Sequence, residues 1–255
     1  PDLKPAFTNS FNISHNTYNF LKDLFMYQSL NFRVTSNAIT NSRVVDLDSG
    51  KTITKPINTN GNYSISMWTG MGFKIKKIDT RFNFGPNFWF NRNADVFNNA
   101  VNYSRNYNLG FNMWVSKSKE KKYDFSISDN FTYSNSKNSL SNITNNYIVN
   151  TFSAYATVYL MKSLSVSSDY ELYAQQKTAQ LPGLTRHFWN ARMQKTFKND
   201  EFTFYFLVRD ILNQNVGLNR YFDRNTLSET RNDRLQRYWM LGFTWNFKNA
   251  GAKAK

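Results

Sequence analysis

Few side chains in this 255-residue sequence have the type and spacing that catalysis or metal binding requires. The two histidines, His15 and His187, lie far apart in the chain, and neither has a second histidine or an HExxH spacing beside it. The sequence has no cysteine, which excludes disulfides and thiolate metal sites. Serine occurs throughout the sequence, so its presence does not identify a catalytic group of Ser, His and an acid. We therefore predict no catalytic residue, no metal site and no cofactor, and we do not expect an enzyme.

Two sets of charged side chains are candidates for ligand binding. Asp169 and Glu171 have a spacing that could serve paired carboxylates. We favour the alternative that these acids pair with Arg or Lys across a wet polar face. A cluster of arginines could bind an anionic ligand or lipopolysaccharide phosphates, and it consists of Arg220, Arg224, Arg231, Arg234 and Arg237. We prefer the alternative without a ligand, in which these arginines lie in a solvated loop and are held by Asp223, Glu229 and Asp233.

These side chains must be positioned by strands, because the strongest pattern in the sequence has a period of two. It is clearest between Arg234 and Phe247. One face there carries Trp239, Leu241, Phe243, Trp245 and Phe247. The other face carries Tyr238, Met240, Gly242, Thr244 and Asn246. In water such a strand would aggregate unless another layer covered its aromatic face, whereas in a bilayer that face meets lipid.

The composition of the whole chain fits the same interpretation. Aromatic residues make up 17% of the sequence, yet the mean hydropathy of −0.61 is that of a polar protein. Both properties are expected if each strand is half aromatic and half Ser, Thr and Asn, as in a barrel with lipid outside and water inside. No run of eighteen apolar residues exists, so a helical membrane span is excluded. We expect the Phe, Trp and Tyr ladders to be a lipid-facing belt rather than stacking platforms.

The alternation recurs about ten times upstream of the last strand, which predicts eleven antiparallel strands in an all-β wall. Tight turns centred near residues 78, 119, 162 and 199 recur about every forty residues. Long connections without an apolar period separate the hairpins, near residues 39–60, 93–102, 135–146 and 209–233. Short turns at one end and long loops at the other are the asymmetry of bacterial barrels.

The net charge of +15 raises the question of nucleic-acid binding. A nucleic-acid module would gather Lys and Arg on one face with aromatic platforms between them. Here most lysines lie near the tight turns and most arginines near the longer connections. We therefore predict no nucleic-acid partner. The rival interpretation is a soluble two-layer β-sandwich with basic turns, in which the aromatic faces pack on each other.

Three local features conflict with a regular, closed sheet. Pro86 interrupts the fourth predicted strand and predicts a bulge or a bend there. Asp129 falls on the apolar face, so we predict that it lies near the membrane interface, beside a bulge, or against another strand or subunit; a register slip is the alternative. Eleven antiparallel strands cannot close regularly, and open edges in lipid leave backbone groups unsatisfied. The chain is therefore predicted to be half of a larger barrel.

Several motifs resemble those of a known family. Gly242, Trp245 and Phe247 are similar to the assembly signal in the last strand of Gram-negative outer-membrane barrels. The segment Arg209-Asp210-Ile211-Leu212-Asn213-Gln214-Asn215, the later Arg237-Tyr238 and the opening Leu3-Lys4-Pro5 resemble the barrel domain of TonB-dependent receptor-like proteins. That family has 22 strands around an N-terminal plug. The resemblance thus implies that residues 1–247 are the C-terminal portion of an outer-membrane β-barrel, followed by a polar tail, 248–255.

The resemblance also implies a function and partners. We expect a multi-pass barrel in the outer membrane of a Gram-negative bacterium, with TonB-dependent uptake of a bulky nutrient such as a siderophore, an oligosaccharide or a peptide. Its partners would be outer-membrane lipid and lipopolysaccharide, the missing N-terminal barrel half and plug, and the TonB system through that part. The alternative is a passive, porin-like or structural barrel. The residues expected to face the ligand from loops are Arg220, Arg224, Arg231 and Arg234.

Overall fold

A computed structural model describes residues 3–46, 48–141, 144–178, 181–198, 201–223 and 226–247, with side chains at all of them except 221–223, 226 and 227. The described residues include fifteen strands, and no helix among them is long and apolar enough to cross a bilayer. The strands are β1 (Phe7–Asn19), β2 (Leu24–Ser36), β3 (Ala38–Val45), β4 (Thr52–Thr59), β5 (Asn62–Ile75), β6 (Thr80–Phe97), β7 (Ala100–Lys119), β8 (Tyr123–Asn138), β9 (Thr144–Met161), β10 (Leu164–Gln175), β11 (Leu184–Phe197), β12 (Phe202–Arg209), β13 (Leu218–Asp223), β14 (Thr226–Arg231) and β15 (Tyr238–Trp245).

Eleven of these strands form one antiparallel meander, which we call the wall. Its order is β1-β2-β5-β6-β7-β8-β9-β10-β11-β12-β15. Consecutive wall strands are neighbours throughout, so the wall is a series of hairpins. The all-β antiparallel prediction is confirmed, and the eleven predicted strands correspond to the wall, whereas the other four described strands were not predicted. Three of the four predicted tight turns lie where the sequence placed them, at residues 76–79, 120–122 and 162–163. The centre of the fourth, residue 199, lies outside the described residues.

Two of the predicted loops contain strands, which corrects the sequence interpretation. The connection at 39–60 folds into the β3–β4 hairpin, whose register runs from Ala38↔Thr59 to Val45↔Thr52. Strand β3 also pairs in parallel with the end of β6, at Ser42↔Val96. The connection at 209–233 contains the β13–β14 hairpin. The β3–β4 hairpin mixes polar residues with a few aliphatic ones, such as the cross-strand pair Val44 and Ile53, so no sustained apolar period reveals it. Backbone hydrogen bonding pairs the strands of both hairpins.

The predicted loops at 93–102 and 135–146 are shorter than expected. Strands β6 and β7 continue to a two-residue turn at Asn98 and Asn99, whose φ angles of 46° and 64° suit the turn of a tight hairpin. Strand β8 likewise continues to Asn138, and β9 begins at Thr144. These extensions are rich in Asn and Ser, which carry no apolar signal, so the hairpins reach well past the aromatic part of the wall.

The wall has an apolar face and a polar face, as the alternation predicts. Aromatic rings meet across neighbouring strands of the apolar face, with centroids 5.6 Å apart for Phe73 and Phe82 and 4.8 Å for Phe204 and Phe243. Among the described hydrophobic residues, only Ala94 and Leu207 are buried within the chain. Apart from the small β13–β14 sheet, the described strands form one sheet, so they do not form the two-layer sandwich of the rival interpretation. The described part of the chain therefore leaves the apolar face uncovered.

Pro86 interrupts the wall without shifting its register. Pairing between β5 and β6 stops after Trp68↔Asn87 and resumes at Met71↔Phe84 in the same register. In the gap, the Thr69 hydroxyl donates a hydrogen bond to the Pro86 carbonyl oxygen over 2.8 Å. The predicted interruption of the ladder is present. Of the two predicted forms, the bulge is wrong because the register does not shift, and the local bend stays a prediction.

The wall is open in the described part of the chain. Strand β1 pairs with β2 alone, and β15 pairs with β12 alone. Because eleven strands alternate in direction, β1 and β15 run the same way. Antiparallel closure of the wall on itself is therefore ruled out by parity, and each edge presents unpaired backbone groups.

Candidate functional site

The polar face is where a ligand in water would meet the wall, and its central part is dominated by amides. The side chains of Asn91 and Asn106 share a hydrogen bond of 3.0 Å across β6 and β7. Asn87 lies opposite Gly110, whose missing side chain leaves room for the amide. The amide nitrogen of Asn83 is buried and has no hydrogen-bond partner among the described residues. Around them, the polar face of β5, β6 and β7 carries Asn, Ser, Gly and Trp.

Three tryptophans lie on this polar face, which corrects the expectation of a purely lipid-facing belt. Trp68 is opposite Ser29 and Asn87, Trp89 is opposite Ser66 and Asn108, and Trp114 is opposite Asn83 and Ser128. The other three tryptophans belong to the apolar face: Trp189, Trp239 and Trp245. Only the alternation of faces along each strand could have revealed these positions in the sequence, because the neighbours of each polar-face tryptophan belong to the apolar face.

A small cavity of about 270 Å³ lies beside Trp89. Its other walls are hydrogen-bonding side chains: Arg33, Thr35, Asn62, Ser64, Asn91 and Asn93, together with Tyr63. The Arg33 side chain is exposed. The cavity combines one large aromatic surface with several donors and acceptors, which is the usual composition of a small-molecule site.

A second, charged cavity of about 380 Å³ brings together several candidates from the sequence. Asp169, Glu171, Arg209 and Arg234 all line it, with Phe188, Asn190, Asp210, Asn215, Leu235 and Tyr238. The Asp169 carboxylate accepts a hydrogen bond from the Asn190 amide. In the described residues, neither acid forms an ion pair, so the predicted pairing with Arg or Lys is wrong, although both cationic side chains lie in the same cavity.

The arginine cluster does not act as one group. Arg220 is nearly buried: its Nε donates to Glu229 over 2.8 Å, and its Nη1 donates to the Pro182 carbonyl oxygen over 2.7 Å. The pinning by Glu229 that the sequence suggested is thus confirmed for Arg220. Arg231 is exposed at the end of β14, and Arg234 lines the charged cavity.

The remaining members of the cluster differ again. Arg224 lies outside the described residues, as does the side chain of Asp223. Arg237 donates from its backbone N–H to Asn213 Oδ1 over 3.0 Å and from its guanidinium to the Ile211 carbonyl oxygen over 3.4 Å. Asp233 is exposed and forms no ion pair among the described residues. A role of these arginines in ligand binding stays a prediction.

The Asp-Ile-Leu-Asn-Gln-Asn segment, residues 210–215, lies at the loop end of the wall, and we call it the Asp210 loop. Several hydrogen bonds hold it in place. The buried Asp210 carboxylate accepts from the backbone N–H groups of Gln214 and Asn215, at 2.9 and 3.0 Å. Gln214 Oε1 in turn accepts from the N–H of His187 on β11. Asn213 holds the start of β15 through Arg237. The loop therefore joins three wall strands, a structural role that the sequence motif marked without explaining.

The two histidines lie far from each other in the sheet. His187 is on the apolar face, and its Nδ1 lies 2.6 Å from the Tyr170 hydroxyl. His15 is on the edge strand β1, opposite Gln28. The described residues contain no group of three His, Asp or Glu side chains placed to hold a metal ion. The prediction that neither histidine is catalytic has no direct test here.

Asp129 lies on the apolar face, as its position in the alternation indicated. It is opposite Met113 and Phe152, and β8 pairs with both neighbours without a register shift. Its carboxylate accepts a hydrogen bond of 2.7 Å from Asn150 Nδ2 on β9. The expectation of a partner on another strand is confirmed, whereas the bulge and the register slip are wrong. Two polar groups thus satisfy each other within an aromatic face.

The residues of the predicted assembly signal lie at the end of the wall. Gly242 is on the polar face of β15 opposite Tyr205, whose ring covers it so closely that an added Cβ would lie 2.0 Å from the Tyr205 Cζ. Trp245 ends the strand, and Phe247 follows it with the two ring centroids 4.2 Å apart. The polar tail, 248–255, lies outside the described residues. The role of these residues in assembly stays a prediction.

The turn end of the wall is cationic but locally compensated. Lys74 forms an ion pair of 2.6 Å with Asp79, whose positive φ of 51° places it in the turn. The hydrogen bond from Lys74 lowers the pKa of the Asp79 carboxyl, and the charges of nearby lysines act in the same direction. Arg81 pairs with Asp23 of the neighbouring turn over 3.2 Å. The first pair lies within the β5–β6 hairpin, and the second links that hairpin to the neighbouring β1–β2 turn.

Comparison with known proteins gives one match. A model of the outer membrane protein beta-barrel family matches residues 90–245, which is more than half of the chain. The matched segment runs from β6 to the last residue of β15, so it contains the Asp210 loop and the charged cavity. Searches of curated proteins and of solved structures found no match.

Proposed function

This chain belongs to the outer membrane protein beta-barrel family, and on that premise we propose that it is wall and loop of a TonB-dependent receptor for a bulky nutrient. The observation that carries the proposal is the uncovered apolar face. Exposed side chains there include Phe11, Leu109, Phe204, Leu241 and Phe243, with no second layer over them. A continuous surface of this kind is stable in lipid and not in water.

The open edges support a larger barrel. Strands β1 and β15 run in the same direction and each lacks one neighbour, and backbone groups cannot stay unpaired in hydrocarbon. An additional set of strands, as in a 22-stranded barrel, would pair with both edges. A barrel of that width encloses a space that wall side chains cannot fill, so it needs a plug. The N-terminal barrel half, the plug and contact with TonB are parts of this proposal, as is a Gram-negative outer membrane with its lipopolysaccharide.

The loop end supports a receptor. There the Asp210 loop holds β11, β12 and β15 together, and Arg234 and Asp169 both line the charged cavity. A rigid base with polar groups around a cavity suits ligand capture. Arg231 and Arg234 are the described members of the proposed ligand-facing set that stay free of ion pairs.

The membrane part of the proposal is tested with single cysteines, because the natural chain has none. Ser66 and Met67 are adjacent on β5 and belong to opposite faces, which makes them a matched pair. In protein reconstituted into lipid vesicles, a small charged thiol reagent should modify Ser66→Cys and leave Met67→Cys unmodified. Equal modification of both positions would show that the apolar face is not in lipid.

A conductance measurement distinguishes energised uptake through a plugged receptor from passive diffusion through an open pore. The full-length protein in a planar bilayer should hold its pore closed, and urea at a concentration that loosens a plug but keeps the wall folded should open it. A steady conductance from the moment of insertion, without urea, would overturn the plugged receptor and favour the passive, porin-like alternative.

A further inference from the structure

The three polar-face tryptophans form a track along β6. Trp114 lies opposite Asn83, Trp68 lies opposite Asn87, and Trp89 is two residues further towards the loop end. At about 3.3 Å per residue, successive indoles are therefore staggered by about 13 Å and about 7 Å along the strand direction. The track runs from the turn half of the wall towards the cavity beside Trp89.

Two of the three indoles are exposed and the third is half-buried. Trp68 is 49% exposed and Trp114 is 39% exposed, whereas Trp89 is half-buried beside the cavity. Large aromatic rings on a face that meets water are unfavourable unless something covers them, so such a row indicates a binding surface. Gly70 lies two residues after Trp68, and the Tyr27 ring of β2 covers it, since an added Cβ there would lie 2.1 Å from Tyr27 Cε1. The Tyr27 ring therefore extends the aromatic surface beside Trp68.

The surroundings of the track are polar but uncharged. Between residues 62–72 of β5, 83–93 of β6 and 102–118 of β7, every polar-face position is Asn, Ser, Gly or Trp. The amide nitrogen of Asn83 is buried and has no hydrogen-bond partner among the described residues, so one donor on this face is left unsatisfied there. Within these three ranges an ionic ligand would find no counter-charge, and the nearest cation is Arg33 of β2, opposite Ser64 at the loop end. A ligand rich in hydroxyl groups would find donors and acceptors at each step.

We propose that the track formed by Trp68, Trp89 and Trp114 binds a neutral oligosaccharide. A pyranose ring has a face of C–H groups, which packs on an indole, and a rim of hydroxyl groups, which pair with amides such as Asn83 and Asn87. Repeated sugar units would occupy successive tryptophans, and Arg33 beside Trp89 offers a free guanidinium to the hydroxyls at the loop end. This inference rests on the proposed function, in which the polar face lines the passage, and it names the class of nutrient.

The experiment measures binding of four neutral probes to the full-length protein in detergent: maltohexaose, cellohexaose, xylohexaose and mannohexaose. At least one should bind, and Trp68→Ala and Trp89→Ala should each weaken its Kd by about fivefold to tenfold, as expected for losing one aromatic contact. Trp239→Ala, on the apolar face, is the matched control and should leave the Kd unchanged.

Two outcomes overturn the inference: none of the four probes binds, or Trp239→Ala weakens binding as much as Trp68→Ala does. The Ser66 and Met67 cysteine labelling is repeated in each variant. It distinguishes a failure of the oligosaccharide inference from a failure of the proposed function. If labelling still distinguishes the two faces while no hexaose binds, the wall is correct and the oligosaccharide track is wrong. If labelling no longer distinguishes the faces, the proposed function itself is wrong.

Discussion

Asp129 and Asn150 illustrate how a polar pair can be accommodated on a lipid-facing surface. The carboxylate and the amide are on neighbouring strands and hydrogen-bond over 2.7 Å. An unpaired acid in the middle of a bilayer costs up to a few kcal/mol, so the amide offsets a penalty that the alternation otherwise imposes. The hydrogen bond between the two side chains replaces the hydrogen bonds to water that each would make outside the membrane.

We therefore expect Asn150→Ala to destabilise the folded protein in lipid vesicles by about 1–3 kcal/mol, because it leaves the Asp129 carboxylate without its donor. Asn130→Ala, an exposed polar-face change one residue away from Asp129, is the control and should change stability by less than about 0.5 kcal/mol. Replacing both Asp129 and Asn150 with Leu should restore stability. Urea titration followed by tryptophan fluorescence measures all three; equal stability of the two alanine variants would contradict the pairing.

Asp210 has the opposite character, since it is a buried acid whose partners are backbone groups of its own loop. Asp210→Ala removes the acceptor of the Gln214 and Asn215 N–H groups, so we expect a loss of about 1–3 kcal/mol in the free energy of unfolding. The loop should also become sensitive to proteases. Asp233→Ala is the control, because that acid is exposed and forms no ion pair among the described residues. Similar protease resistance in the two variants would show that the carboxylate does not organise the loop.

At the scale of strands, two glycines mark places where neighbouring strands approach closely. A Cβ on Gly85 would lie 1.9 Å from the Thr69 carbonyl oxygen, a backbone atom that cannot move without opening β5 from β6. A Cβ on Gly242 would meet the tip of the Tyr205 ring, which can rotate. The same substitution should therefore have different costs at the two positions.

We expect Gly85→Ala to lower the stability of the folded wall by about 1–3 kcal/mol or more, as overpacking does, and Gly242→Ala to cost less. Tyr205→Ala should relieve Gly242→Ala and leave Gly85→Ala unaffected. The folded fraction after refolding into detergent, read from the gel mobility of unheated samples, gives the order. A larger effect at Gly242 would mean that the Tyr205 ring is held in place.

The predicted assembly role of Gly242 is a separate question with its own measurement. Gly242→Ala should refold in purified lipid nearly as well as the natural chain if the residue is read by the assembly machinery alone. In cells the same variant should then reach the outer membrane in reduced amount, together with Phe247→Ala. Normal amounts of both variants in the outer membrane would show that these residues do not form an assembly signal.

At the scale of the whole molecule, the direction of the edge strands decides what can complete the sheet. Strands β1 and β15 are parallel, and each has one paired side. A single chain of eleven wall strands therefore cannot close by antiparallel pairing, and lipid tolerates no open edge. In the larger barrel that we propose, further strands would lie beside both edges.

Cysteine pairs test this arrangement in the membrane-inserted protein. Phe204→Cys with Phe243→Cys, which are directly opposite on β12 and β15, should be joined efficiently by a short bis-maleimide. Phe11→Cys on β1 with Leu241→Cys on β15 should not be joined within one chain, because other strands separate the two edges. Efficient joining of the edge pair within a monomer would overturn the larger barrel.

The alternation of side chains is a local property, so the sequence by itself determined the antiparallel wall, its eleven strands and its tight turns. Each residue's face follows from its parity, and lysine-rich turns separate the strands. The same parity placed Asp129 on the apolar face and Trp68 on the polar face, although composition suggested a lipid-facing belt for all tryptophans. Where the apolar signal was strong, sequence and structure agree.

Only the tertiary structure decided features that depend on residues far apart in the chain. The β3–β4 and β13–β14 hairpins are held by backbone pairing, which leaves no trace in an apolar period. Arg220 donates hydrogen bonds to Glu229 and to the Pro182 carbonyl oxygen, whereas Arg234 lines the charged cavity together with Asp169. Nothing in the spacing of these two arginines distinguishes them in the sequence. Long side chains choose among several partners, so their contacts depend on how the loops fold over the wall and not on the sequence around them.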